Sequence, residues 1–329
     1  MFIEKLLTIS NIKKKYLLSD FDKKFIERAR KKAKNIFLKK NKKIAIIVGP
    51  CSIHNFNEAI LYAKKLKELQ DEVGDKFFLV MRVYFEKARS KNSWKGFVND
   101  PFLDGSNDIK KGIELTRKLL IEITKLNIPI ACEILDINIF NYFDDLITWG
   151  FIGARTVESQ SHRQLASSMP FVVGFKNPTS GDISKAKNAV DISKNQNTFI
   201  KTDENSKLSI FKSQGNLYSH IVLRGSDRES NYKMLENIEN YKVMVDASHG
   251  NSNKDYKKQI DVFNYVISKT NNQNLIGIML ESNLEERNQK LDFLNLRFGI
   301  SVTDECLSFL ETKKIILSSY KKSSNNTYI

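Results

Sequence analysis

The stretch Met81-Arg-Val-Tyr-Phe-Glu-Lys-Ala-Arg-Ser-Lys-Asn-Ser-Trp-Lys-Gly96 begins as a strand and ends as a loop. Leu79, Met81, Val83 and Phe85 alternate with other residues, and the run from Phe77 is apolar enough to be buried on both faces. Arg82 nevertheless sits inside that run, and Lys87, Arg89, Lys91 and Lys95 follow it. A buried strand keeps an arginine only where something anionic meets it. The stretch therefore predicts a two-sided parallel sheet with anionic groups arriving at a strand end. The opposing reading is an ordinary strand followed by a solvated basic loop.

Working outward, the same alternation of apolar run and helix repeats. Ile44–Val48 is a short β-branched strand ending at Gly49-Pro50, and Ala59, Ile60, Ala63, Leu66 and Leu69 share one helical face. After Phe77–Phe85, helices are expected at Ile109–Leu126, Phe140–Trp149, His162–Ser168, Ile183–Ser193, Tyr232–Asn240 and Asp255–Ser268. Further strands are expected at Pro129–Ile134, Phe151–Thr156, Phe171–Phe175, His220–Leu223, Val243–Asp246 and Leu275–Leu280. Thr198–Lys212 reads as an inserted hairpin, and a last helix runs from Thr303 to Tyr320. About eight buried strands, each followed by a helix, define a (β/α)8 barrel. An open doubly wound sheet is the alternative; no Gly-x-Gly-x-x-Gly follows the first strand, which weakens a dinucleotide-binding version.

Upstream, residues 1–40 are lysine-rich with Phe21, Phe25, Ile26, Ala29, Ala33, Ile36 and Phe37 at helical spacing. This predicts an arm and one helix, N-capped by Asp20. The organisation is then an N-terminal helical extension over 1–40, a barrel over 41–320 and a frayed tail over 321–329. Lys+Arg outnumber Asp+Glu by 53 to 38, a formal charge of +15. The lysines are spread through Asn/Ile/Lys-rich segments rather than gathered in a stripe, so small phosphorylated substrates fit better than nucleic acid. Cys51, Cys132 and Cys306 form no disulfide framework. No apolar run approaches ~18 residues and no signal sequence opens the chain, so no membrane span and a cytoplasmic location are expected.

Chemistry in such a barrel gathers at the C-terminal strand ends. Arg82, Lys87, Arg155, Lys176 and Arg224 are cations there, suited to a ligand with phosphate and carboxylate groups. Cys51, His249, Glu281 and Asp304, which opens the final helix, form a second set. One thiol, one imidazole and two carboxylates suit Mn²⁺, Fe²⁺, Co²⁺ or Zn²⁺ without choosing among them. Taken singly, each cation reads as a salt-bridged barrel residue and each of Cys51 and His249 as a core residue. Their placement on different strand ends favours a shared site.

At these residues the chain resembles the type I DAHP synthase family (3-deoxy-D-arabino-heptulosonate 7-phosphate synthase). The resemblance is carried by Gly49-Pro-Cys-Ser-Ile-His54, Met81–Lys87, Trp94-Lys-Gly96, Gly153-Ala-Arg-Thr156, Gly174-Phe-Lys-Asn177, Ile221–Gly225, Asp246-Ala-Ser-His249 and Ser301-Val-Thr-Asp304, in that order. It implies condensation of phosphoenolpyruvate with erythrose 4-phosphate, the first step toward chorismate and the aromatic amino acids. It implies Cys51, His249, Glu281 and Asp304 as ligands of a divalent metal. Arg82, Lys87, Arg155, Lys176 and Arg224 would hold phosphoenolpyruvate, while Arg89 and Ser90 would meet the aldose phosphate. Glu133 would stand near Lys176 and position water or a proton, and Lys87 would be the proton donor. A homodimer or homotetramer is also implied.

The chain departs from the family at Ala88, Ser93 and Phe140 and in its short arm. Phe140 and the arm fall where related enzymes bind an aromatic amino acid, so ordinary feedback control is not expected. Rival readings are a synthase using arabinose 5-phosphate, a non-catalytic barrel and, from charge alone, a nucleic-acid binder.

Overall fold

The computed structural model describes residues 4–89 and 93–325. Two helices precede the sheet, α1 (Ile9–Lys15) and α2 (Asp20–Phe37), where the sequence predicts one. The N-cap of α2 is Ser19 rather than Asp20. Its hydroxyl accepts from Asp22 N, and the Asp22 carboxylate answers the Ser19 amide in a capping box.

The strands then follow as β1 (Ile44–Gly49), β2 (Phe77–Arg82), β3 (Ile130–Glu133), β4 (Trp149–Ile152) and β5 (Val172–Lys176). A hairpin, β6 (Thr198–Thr202) and β7 (Leu208–Lys212), is inserted before β8 (Ser219–Leu223), β9 (Val243–Asp246) and β10 (Leu275–Asn283). The order β1-β2-β3-β4-β5-β8-β9-β10 closes on itself, because β10 pairs with β1 from Ala45↔Gly277 to Gly49↔Glu281. Every pairing in this ring is parallel. The fold is the (β/α)8 barrel expected from the sequence, with the N-terminal helices and the inserted hairpin.

Helices α3 (Phe56–Val73), α4 (Ile109–Lys125), α5 (Ile137–Phe140), α6 (Gln160–Ser167), α7 (Ile183–Lys194), α8 (Gln259–Ser268) and α9 (Phe309–Asn325) cover the outside. Several expectations are corrected here. The Phe140–Trp149 helix is split into α5 and a 3-10 turn at Asp144–Leu146, and Trp149 already belongs to β4. Between β8 and β9 there is only a 3-10 segment, Tyr232–Asn237. The final helix starts at Phe309 rather than Thr303, so Asp304 lies in the loop before it. That loop is held by Arg287↔Cys306 and Asn288↔Ser301 bridges and by β11 (Leu307–Ser308), which pairs with the end of β10. Helix α9 continues past Tyr320 to Asn325, and residues 326–329 lie outside the described residues.

Helix α2 plugs the barrel. It packs on β1 and β5, which stand on opposite sides of the ring. Arg30 donates to the carbonyl of Ile147 at 2.8 Å, just before β4, and Lys39 donates to the carbonyl of Leu275, the first residue of β10. These are N-terminal strand ends, so the plug leaves the C-terminal mouth free. Its own Ala33 and Ile36 are fully buried.

Candidate active site at the C-terminal mouth

Arg82, Lys87, Arg89, Glu133, Arg155, Lys176, Arg224, His249 and Asp304 line one cavity of about 150 Å³. They arrive from β2, β3, β4, β5, β8 and the loops after β9 and β10, as the barrel rule requires. Cys51 and Glu281 lie just behind it, 0% and 1% exposed. Ser90 lies outside the described residues.

Three of the four candidate ligand atoms converge. One donor atom each from Cys51, Glu281 and Asp304 lies within 4.8 Å of the others. Cys51 Sγ is 3.6 Å from Asp304 Oδ2. His249 Nε2 is 3.8 Å from Glu281 Oε1. His249 stands outside that group, beside Glu281; a thiol and two carboxylates at these separations, with an imidazole next to them, fit a borderline divalent cation.

The cations divide by partner. Arg82 is 1% exposed; it donates to Glu281 Oε1 at 2.7 Å and to the carbonyls of Pro50 and Cys51 at 2.7 and 2.6 Å. Its guanidinium also lies 3.6 Å from the Tyr84 ring centroid. Lys176 pairs with Asp246 at 2.7 Å. The family resemblance implies Glu133 beside Lys176, and both line the cavity, yet the lysine's hydrogen bond goes to Asp246. Glu133 instead fits against Gly153, where an added Cβ would come within 2.0 Å of its Oε1. Arg224 faces Asp227 only at 3.9 Å. The Arg155 guanidinium makes no hydrogen bond or ion pair among the described residues.

Lys87 places its ammonium 3.1 Å from Cys51 Sγ and 3.2 Å from the Cys51 carbonyl. Burial works against its charge, but Cys51, Glu281 and Asp304 raise its pKa above the usual lysine value. Burial, then Glu281, pushes the Cys51 thiol up to about 11. For Asp304, burial favours the neutral acid, yet Lys87 and His249 outweigh it and lower the pKa.

Close backbone approach brings the β8 and β9 loops together. Gly225, at φ +75°, faces Gly250 so tightly that a Cβ on Gly225 would sit 2.4 Å from the Gly250 carbonyl carbon. This sets Arg224 beside His249, itself at φ 57°. An amide scaffold fixes the same rim. Asn177 Oδ1 accepts from Arg224 N and Asn231 Nδ2, both at 3.0 Å, and Asn251 Nδ2 donates to the carbonyls of Leu223 and Asp246. Asn177, Asn231, Asn251 and Asp246 are absent from the sequence-derived site. Asp246, in Asp-Ala-Ser-His249, and Asn177, in Gly-Phe-Lys-Asn177, stood at strand ends where they invited scrutiny.

Glu86, next to Lys87, is 4% exposed, and burial pushes its carboxyl up to about 8. The folded chain thus holds this proton where the unfolded chain releases it, from about pH 4.5 upward. Stability falls as pH rises through that window toward 8, then levels. Glu86→Gln is therefore expected to raise the melting temperature more at pH 8.5 than at pH 5.5, as calorimetry at both pH values will read.

The chain matches the model of the DAHP synthetase I family over residues 24–318. It is 39% identical over 325 residues to the Tyr-sensitive phospho-2-dehydro-3-deoxyheptonate aldolase of Escherichia coli (strain K12), covering 94% of this chain and 91% of that one. It is 40% identical over 299 residues to a phospho-2-dehydro-3-deoxyheptonate aldolase of Corynebacterium glutamicum, covering 86% and 82%. The solved structure of the aldolase of that name from Francisella tularensis SCHU S4 superposes with a TM-score of 0.94 at 39% identity, covering 97% of each chain.

Proposed function

The chain belongs to the DAHP synthetase I family, and from that premise we propose how its own residues carry the family's reaction. The protein is a metal-dependent synthase that condenses phosphoenolpyruvate with erythrose 4-phosphate and water, giving 3-deoxy-D-arabino-heptulosonate 7-phosphate and inorganic phosphate. Cys51, His249, Glu281 and Asp304 hold the metal, which is Mn²⁺, Fe²⁺, Co²⁺ or Zn²⁺. When bound, that ion supplies Lewis-acid polarisation of the aldehyde oxygen.

The residues of the chain do the rest. Arg155, Lys176 and Arg224 grip the phosphate and carboxylate of phosphoenolpyruvate, with Arg82 beneath them and Lys87 at the side. Arg89 and Ser90 take the aldose phosphate. Held this way, the enol carbon of phosphoenolpyruvate faces the aldehyde carbon, and much of the rate gain comes from orientation. Attack leaves positive charge on the adjacent carbon, to which water adds. Glu133 positions that water or accepts its proton, and the hemiketal phosphate then releases phosphate. Lys87, held protonated, delivers a proton to the new alkoxide or the leaving phosphate.

The observation carrying this reading is the single cavity that joins the cations of four strand ends to the ligand cluster. Phosphate release from phosphoenolpyruvate tests it. Release is expected with erythrose 4-phosphate, and a fivefold excess of arabinose 5-phosphate should not replace it. Preference for the pentose phosphate would move the protein to the rival synthase class.

The chain also works as a homo-oligomer, dimer or tetramer, in the cytoplasm. The β6–β7 hairpin presents Ile200, Leu208 and Ile210 on one outer face, 65%, 79% and 79% exposed. Three aliphatic side chains on an isolated two-stranded ribbon favour coverage by another subunit. Ile210→Glu is expected to shift the species seen by light scattering toward monomer. Three free, buried cysteines suit a reducing compartment. Among the described residues no helix is long and apolar enough to cross a membrane.

A further inference from the structure

We propose that Asp246 is a positioning residue that fixes the tautomer of His249 and, through one carboxylate oxygen, binds the metal site and Lys176 into a single unit. This rests on the reading of His249 as a metal ligand. Asp246 closes β9 and is 0% exposed, so it has no route to solvent. Its Oδ2 accepts from Lys176 Nζ at 2.7 Å and lies 3.0 Å from His249 Nδ1. Its Oδ1 accepts from Ser248 N at 3.1 Å and from Ser248 Oγ at 2.6 Å. A fully buried carboxylate with only a lysine partner would be an ordinary barrel salt bridge. The imidazole on the same oxygen makes it more than that.

The hydrogen-bond inventory determines the ring. An ionised carboxylate only accepts, so the Ser248 hydroxyl hydrogen goes to Asp246 Oδ1. The Ser248 oxygen, 2.7 Å from His249 Nδ1, then offers that nitrogen a lone pair. Both polar neighbours of Nδ1 are acceptors, so Nδ1 carries the proton. A neutral ring with its proton there keeps its lone pair on Nε2, the nitrogen 3.8 Å from Glu281 Oε1. A carboxylate behind a histidine fixes ring orientation and raises the basicity of the coordinating nitrogen. The backbone supports the arrangement, since Asn251 Nδ2 donates to the Asp246 carbonyl at 2.8 Å.

Asparagine keeps the shape of Asp246 but has one acceptor for four donors: Lys176, the His249 ring, and the amide and hydroxyl of Ser248. In metal-stripped full-length protein, Asp246→Asn is therefore expected to raise the Mn²⁺ dissociation constant by about 10–100-fold in titration calorimetry. A merely structural role would lower the melting temperature and leave that constant alone. A Mn²⁺ constant within threefold of the parent overturns the proposal. Should Asp246→Asn not fold, the parent chain itself decides. Nitrogen–proton correlation spectra of histidine-labelled, metal-free protein should show His249, identified by its loss in His249→Gln, as the Nδ1–H tautomer. The Nε2–H tautomer overturns the proposal. His249→Gln binding Mn²⁺ as tightly as the parent would instead remove the ligand reading beneath it, and the proposal with it.

Discussion

Arg82→Ala is expected to cut turnover by about a thousandfold or more and to lower the melting temperature as well. The reason is the number of tasks this one guanidinium performs. It neutralises Glu281 inside the barrel, donates to two carbonyls around Cys51, and lies against Tyr84. Removing it leaves a 1% exposed carboxylate without its cation, a loss of about 3–5 kcal/mol when a buried pair is broken. It also frees the Pro50-Cys51 backbone that aims the thiol. Preorganised charge at a reacting centre is worth about 10²–10³ in rate for a single donor, and in the proposed function the phosphoenolpyruvate anion binds above this one. Burial disfavours the cation, but Glu281 more than compensates and raises its pKa. Arg82→Lys keeps the charge and loses the fork, so it should recover stability before it recovers rate. Near-normal turnover in Arg82→Ala would remove this residue from the site. Phosphate release and calorimetry on the same preparations separate the two effects.

Chelation is the second large effect. Dialysis against a chelator is expected to reduce phosphate release to about one hundredth or less, and added Mn²⁺, Fe²⁺, Co²⁺ or Zn²⁺ should restore it. Mg²⁺ should restore far less, because it prefers oxygen donors while Cys51 and His249 bring sulfur and nitrogen. Cys51→Ser leaves an oxygen in place of the thiol. Its requirement for Zn²⁺ should rise more steeply than its requirement for Mn²⁺. Full activity after exhaustive chelation, checked by elemental analysis, would contradict the metal reading.

Much of this was legible in the chain because burial on both faces erases alternation. Ile44–Gly49, Phe77–Arg82 and Leu275–Asn283 are buried at every position, and such runs advertise parallel strands without ambiguity. Polar residues interrupting them, Arg82 above all, point at the mouth for the same reason. Short helices were harder. Phe140 and Tyr142 share spacing with Leu146 and Trp149, yet the segment is cut by the Asp144–Leu146 turn, and Trp149-Gly150 pairs with Val172-Val173. Tertiary pairing overrode a helical pattern there. Helix α1 was hidden by lysines, and its position depends on distant partners such as Asp144 and Glu204. Asp304 was placed on a helix because the bridges that hold its loop join residues with no local signature. The Asp246 partnership with Lys176 crosses from β9 to β5, a distance that no spacing rule reaches.

The plug made by α2 has a consequence for biosynthesis. The ribosome delivers this helix before any of the strands it must seal. The ring itself stays open until β10 meets β1. Nascent α2, with its apolar stripe of Ile26, Ala29, Ala33 and Ile36, meets β1 soon after it is made but gains its opposite support, β5, only later. Sealing the barrel thus waits on pairing between strands far apart in sequence, which makes folding slow for reasons of topology.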